Sequence, residues 1–440
     1  LAGFKRLPTR EIVRMEMAKN STKADEDLRA AIRILEGMRP TDRQEATGFK
    51  DTIAFIKDTL RSTSFRERKS DSARLRALEA GGFRITGWMQ GDRLLAARDL
   101  YGIIKSGALA ERLAGIPKYR HAKPVSARCM GGVSRAYLVG LENAGRSMNI
   151  ILKHGNAEAE VFGARMTRAA GLLPPEVHGP WKGSDFIIVE DIHDYEGRRM
   201  RLRRFDGEKE MTIARVGVIG DEVLGCDESD VRREFWSLVG RPEGRMAFFT
   251  AWLDFMEFSR LALLCDRQHT NAAIAFASGA SGSGVCILPL DLDAIAFSAG
   301  QGADGSLDLT TMESEFAHHT RHLMEVMVNC SRRAAQDGLL SSPITKAQAA
   351  ASMLSALRHR KASGVPADYA SLRLRVLREL GSHAKMGTRF GAKTAASHVR
   401  GRLGSRKAAR LADAIRRISS PGGRAVFIEK HMEAVRQFRQ

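Results

Sequence analysis

The chain has 440 residues, with 70 Lys and Arg against 51 Asp and Glu, a formal charge of +19, and 43% hydrophobic residues. That length exceeds one compact domain, so two or three modules with proper cores are expected. The five cysteines, Cys129, Cys226, Cys265, Cys286 and Cys330, are odd in number and form no Cys-x-x-Cys pair, which argues against a disulfide framework and a zinc ribbon and reads as reduced thiols.

Residues 1–117 show helical apolar spacing at 25–38, 47–60 and 71–79, broken by Pro, Gly and Ser, and predict a helical interaction or regulatory domain. Residues 118–192 read differently. A strand from Val125 leads to a glycine turn at Gly131 and Gly132. A second strand follows, then a turn at residues 142–145 and a third strand ending at Lys153. Glycines at the first turn let backbone N–H groups approach phosphate oxygens without a Cβ in the way. A lysine on a rigid strand can neutralise such phosphates, and it needs a carboxylate to fix its long side chain. The next segment is a helix with two acids in its first turns; Glu160 is the expected partner and Glu158 the reserve. A strand over residues 184–192 ends in Glu190, Asp191 and Ile192, where unpaired backbone groups would suit the edge of an adenine ring.

Residues 193–384 begin with a Gly-, Glu- and Val-rich insertion near 196–232 and continue with a helix, over residues 244–264, that is apolar on most sides and predicts a buried element. Directly after it comes Asp266-Arg-Gln-His-Thr-Asn271. Two short strands joined by a Ser/Gly-rich hairpin then lead to Leu-Pro-Leu-Asp291-Leu-Asp293. A carboxylate that orients an attacking hydroxyl, with a second carboxylate and an amide oxygen for Mg²⁺, is what phosphoryl transfer requires. Further on, His318 and His322 share a helix face at a spacing that suits a metal. No fourth ligand is in register, and exposed histidines explain them more simply.

In this order the residues resemble the protein-kinase-like superfamily, and within it the atypical branches. Asp266-Arg-Gln-His-Thr-Asn271 is similar to the loop of phosphatidylinositol 3/4-kinase-like enzymes and of the actin-fragmin kinase. Leu-Asp291-Leu-Asp293-Ala is closer to the metal strand of aminoglycoside and choline phosphotransferases. The resemblance covers roughly residues 120 to 300. It implies an α+β, bilobal protein-kinase-like fold with a β-rich small lobe over 118–192, a helical large lobe over 193–384, an N-terminal helical domain and a basic helical extension over 385–440. It implies ATP and Mg²⁺ as cofactors. Asp266 would orient the acceptor hydroxyl, Lys153 and Glu160 would position the phosphates beneath Gly131 and Gly132, and Glu190, Asp191 and Ile192 would hold adenine. Asn271 and Asp291 would bind Mg²⁺, with Asp293 a possible second metal ligand. No His-Arg precedes Asp266, no Phe-Gly follows Asp291, and the glycine turn lacks the Gly-x-Gly-x-x-Gly spacing, so an ordinary serine/threonine protein kinase is not expected.

The positive charge concentrates at Arg198–Arg204 and over residues 385–424, where only Asp413 opposes a run of Lys and Arg. Such a segment suits a phosphoinositide or another anionic membrane surface, nucleic-acid phosphates, or an acidic protein; it also suits a merely solvated helix face. Aromatic residues are only 6% of the chain, which weakens a base-stacking, nucleic-acid reading. The preferred acceptor is a protein hydroxyl, ahead of a phosphoinositide or a small alcohol, because the extra helical modules suggest partner recognition. The competing class is a pseudokinase or nucleotide-transfer scaffold. No apolar run approaches a membrane span and the first residues lack a signal-peptide core, so action in a cytoplasm is expected. The Ala/Arg-rich composition would suit a bacterial protein, including an effector acting in a host cell.

Overall fold

A computed structural model describes residue 33 and residues 65–86, 90–130, 135–154, 157–181, 186–204, 207–225, 229–264, 267–279, 282–292, 309–394 and 397–440. Of the helical segments expected at 25–38 and 47–60, all but residue 33 lie outside the described residues. The architecture is mixed α+β and divides into two units. Unit 1 takes residues 1–155, 181–189 and 392–399; unit 2 takes 156–180, 190–391 and 400–440.

Unit 1 contains α1 (Phe65–Ala80), β1 (Arg84–Thr86), α2 (Gln90–Lys105), α3 (Ala108–Ala114), β2 (Lys123–Cys129), β3 (Arg135–Asn143) and β4 (Arg146–His154). The chain then forms α4 (Ala157–Ala169) and β5 (Val177–His178) of unit 2 before β6 (Phe186–Glu190), which belongs to unit 1 for all but its last residue. Within unit 1 the strands lie in the order β1-β2-β3-β4-β6. The β1 strand is parallel to β2, and β2, β3 and β4 are antiparallel. The turn expected at 142–145 is a two-residue hairpin loop in which Ala144 and Gly145 both have positive φ, +48° and +78°, the twist that matches flanking right-handed strands.

Alternate residues of the sheet, Tyr137, Val139 and Leu141 on β3 with Ile150 and Leu152 on β4, bury one face against Leu100, Leu109 and Leu113 of the helices. Residues 65–114, read from sequence as part of a separate helical module, therefore share a core with the strands. Polar ties reinforce this packing. The Tyr137 hydroxyl donates to Asp99, and Arg98 pairs with the buried Asp71 at 2.6 Å.

Unit 2 continues with β7 (Arg199–Arg204), β8 (Gly207–Val218), α5 (Asp230–Val239), α6 (Pro242–Leu261), β9 (Ala272–Gly279), β10 (Gly282–Pro289), α7 (Leu309–Gln336), α8 (Lys346–Ala362) and α9 (Tyr369–Met386). A two-stranded sheet of β11 (Arg389–Thr394) and β12 (Ser397–Arg402), whose residues 392–399 are counted in unit 1, precedes α10 (Ser405–Ile418) and α11 (Pro421–Arg439) of unit 2. The residues read as an insertion, 196–232, supply β7 and β8, which complete a four-stranded antiparallel sheet in the order β10-β9-β8-β7. They are structural, because β8 covers the edge that β9 would otherwise leave open.

As its composition predicts, α6 is buried along nearly its whole length, with Phe248, Trp252, Phe255 and Phe258 in the core. It also carries buried charges. Arg360 of α8 donates to Asp254 and to Glu257, and Arg424 of α11 donates to the other oxygen of Glu257 at 3.0 Å. Arg260 donates to Glu313 at 2.6 Å and to the carbonyl of Ile418 at 2.9 Å. Every carboxylate in this group has a guanidinium partner, the condition under which buried charge is tolerated. The C-terminal region, expected as a basic helical extension, starts with the β11–β12 hairpin. Its two helices place Leu411, Ile415, Phe427 and Val435 in the same core as α6, with Arg424 internal.

Candidate functional site

The β9–β10 ladder ends with Ala272 opposite Pro289. The residues just beyond it, Asn271 and Leu290, therefore meet, and the Leu290 N–H donates to the Asn271 carbonyl at 2.9 Å. Hairpin register thus brings Asn271 and Asp291, twenty residues apart in sequence, to one end of the sheet. Asn271 closes a single 3-10 turn, its N–H donating to Gln268 O at 3.0 Å.

Arg267 is fully buried beside this turn. Its guanidinium donates to the carbonyl of Leu290 at 2.9 Å and to that of Asp291 at 2.5 Å. Asp291 has φ +48°, a left-handed conformation that costs a non-glycine residue on the order of 1 kcal/mol and that the two hydrogen bonds offset. On the other side, the Leu292 N–H donates to Glu160 Oε1 at 3.1 Å. The α4 helix comes so close here that a Cβ on Gly163 would stand 1.8 Å from the Leu292 carbonyl oxygen. Glu160 is thus anchored to the chain directly after Asp291.

His269, in the same turn, is 8% exposed, and burial pushes its pKa down to about 4, with His322 and His319 adding repulsion. Its ring lies 5.3 Å from that of His322. No group of three or more His, Cys, Asp and Glu residues able to hold a metal ion occurs among the described residues.

At the end of β6 two of the backbone groups at residues 190–192 have partners. The Glu190 N–H donates to Glu176 O at 2.8 Å, and the Asp194 N–H donates to Asp191 O at 3.1 Å. The cause is local: residue 176 runs alongside Glu190, and Asp191 caps a 3-10 turn over Ile192–Tyr195 by accepting from the His193 N–H at 3.2 Å. The Glu190 carboxylate, itself buried, accepts from Arg198 at 3.0 Å. His193 lies 2.9 Å from Glu222, and that hydrogen bond raises its pKa to about 9.

Lys153 stands opposite Ala136 near the end of β4 in unit 1, whereas Glu160 belongs to unit 2. Gly131, Gly132, Asp266 and Asp293 lie outside the described residues. Sequence reading did not single out Arg267 or Gly163. No local signal marks either one, because Arg267 meets its carbonyl partners 23 and 24 residues away and Gly163 meets Leu292 across a longer separation. The basic run after β6 is largely neutralised: Arg203 makes two 2.5 Å bonds to Asp368 beneath the Phe258 ring, and Arg199 pairs with Glu210 at 3.0 Å. Among the described residues no helix is long and apolar enough to cross a membrane.

No family model and no curated protein matches this chain. Among solved structures it is similar to HipA of Shewanella oneidensis MR-1, from a complex of the HipA and HipB toxin–antitoxin system with its operator DNA, at 12% identity over 69% of this chain and 66% of that one. The TM-score of 0.27 is too low to establish a common fold.

Proposed function

We propose that this chain is an ATP-dependent phosphotransferase of an atypical kinase-like type, moving the γ-phosphate of ATP to a hydroxyl, with a protein side chain the preferred acceptor. The observation that carries the reading is the meeting of Asn271 and Asp291 at one end of the β9–β10 hairpin, with Arg267 of the same motif fastened to the Asp291 backbone. An amide oxygen and a carboxylate are hard oxygen donors, and a small protein ligand set suits an ion that takes its remaining ligands from water and phosphate. The residues present therefore fit Mg²⁺, which when bound would offset charge on the phosphate oxygens. Asn271 and Asp291 hold it in this reading, Asp266 orients the acceptor hydroxyl, and Lys153 neutralises phosphate charge. Gly131 and Gly132 offer backbone N–H groups to phosphate, and residues 190–192 hold the adenine edge. Asp293 is the reserve metal ligand.

The excess of basic residues, +19 overall, supports a second surface for an anionic partner, a phosphoinositide-bearing membrane in preference to nucleic acid. The phosphotransferase reading is tested by calorimetric titration of Mg-ATP into the full chain and its Lys153→Ala and Asp291→Ala variants. Metal-dependent binding weakened by both substitutions supports it. Absence of nucleotide binding in the parent chain sinks it and leaves a scaffold.

A further inference from the structure

We infer that Arg267 is the positioning residue for Asp291, setting the direction of that carboxylate through its own backbone; this rests on the proposed role of Asp291 as a metal ligand. Three observations converge. Arg267 is fully buried, and its guanidinium donates to two successive main-chain carbonyls, those of Leu290 and Asp291. Two N–H groups of one planar guanidinium fix the relative orientation of two successive peptide planes, which a single ammonium does not do. The residue so held is Asp291, one of only three non-glycine residues with positive φ among the described residues. A left-handed aspartate relaxes when its support is removed, and relaxation swings the carboxylate away from the direction it takes now. The Leu292 N–H, held by Glu160, fixes the far side of the same residue, so the backbone is restrained before and after the carboxylate.

An arginine that served only to fill the core would produce a different set of effects. Losing it would lower stability and leave the dependence of nucleotide binding on metal unchanged. A positioning arginine transmits its loss to the metal-dependent part of binding and to nothing else at the site, in the way that outer-shell partners tune ligands they hold.

The experiment measures ATP affinity of the full chain by calorimetry with and without Mg²⁺, in the parent, Arg267→Lys, Arg267→Met, Asp291→Ala and the Arg267→Met/Asp291→Ala double variant, with thermal melts to verify folding. Arg267→Lys keeps the buried charge and most of the volume, so it serves if the methionine variant fails to fold. The expected result is loss of the Mg²⁺-dependent gain in ATP affinity by about tenfold or more in both Arg267 variants. Metal-free ATP affinity stays at the parental level, and the double variant is no worse than Asp291→Ala. A folded Arg267 variant that keeps the full Mg²⁺-dependent gain overturns the inference, as does strict additivity in the double variant. A parent chain without Mg²⁺-dependent ATP binding overturns the phosphotransferase reading together with this one. A parent that binds Mg-ATP while both Arg267 variants are indistinguishable from it overturns this one alone.

Discussion

Replacing Gly163 by alanine is expected to destabilise the protein, although the substitution removes a glycine from the middle of a helix. Glycine costs an exposed helix about 1 kcal/mol relative to alanine, so propensity alone favours the change. At Gly163 the new methyl would lie 1.8 Å from the Leu292 carbonyl oxygen and 2.8 Å from its carbon, both main-chain atoms that no rotamer change can move. Forcing α4 outward costs about 1–3 kcal/mol for overpacking. Breaking the hydrogen bond from the Leu292 N–H to the Glu160 carboxylate costs about 1.5–3 kcal/mol more. After the propensity gain, the net loss is about 1.5–5 kcal/mol. The control is Gly381→Ala on α9, where nothing lies within 4 Å of the added carbon and a gain of up to about 1 kcal/mol is expected. Urea unfolding followed by tryptophan fluorescence suits both variants, since Trp236 and Trp252 are buried in unit 2. A Gly163→Ala protein as stable as its parent, or stabilised like the Gly381 control, would refute the close approach.

Two further predictions concern buried charge and protonation. Arg360→Met takes the Arg360 guanidinium from buried Asp254 and leaves Glu257 with Arg424, and is expected to cost about 3–5 kcal/mol by urea unfolding. Adding Asp254→Asn to that variant should recover part of the loss; no recovery would mean that packing, not charge, set the cost. His431 is fully buried with Nδ1 2.8 Å from the Phe427 carbonyl, and burial pushes its pKa down to about 4 from an ordinary 6.5. The folded chain then binds fewer protons than the unfolded chain between those values, so stability falls as pH drops from about 6.5 toward 4. His431→Gln should flatten that slope by up to about one proton, and an unchanged slope in pH-dependent melts would contradict the assignment.

Much of the hairpin that organises the candidate site was legible in sequence. The apolar runs on either side of the Ser/Gly stretch predicted β9 and β10, and pairing them brings Asn271 toward Asp291 without further information. The buried character of α6 followed from apolar residues on most of its faces. What could not be read was anything that depends on exact register or approach. Arg267 meets its carbonyl partners across more than twenty residues, and Gly163 meets Leu292 across a still longer separation. Neither contact has a local pattern. The three-residue strand β1 was missed because so short a run, Arg84–Thr86, carries no periodicity of its own and exists only through its pairing with β2. Charge counting misjudged Arg424 for a different reason: composition gives the number of cations along a segment but not which of them turn inward to Glu257.

The union of α6 with α10 and α11 also bears on how the chain reaches its native state. Arg260 and the Ile418 carbonyl are 158 positions apart, and Glu257 and Arg424 are 167 apart. A ribosome releasing about 5–20 residues per second leaves α6 waiting on the order of ten seconds or more for these partners. During that interval a helix bearing five core aromatics and three charges that require distant counterions has no complete place to bury either. Loop closure on this scale is slow, so nascent unit 2 is a natural client for chaperones that shield apolar helices. Expression yield should therefore respond to chaperone supply and translation rate more than to the final stability of the folded protein.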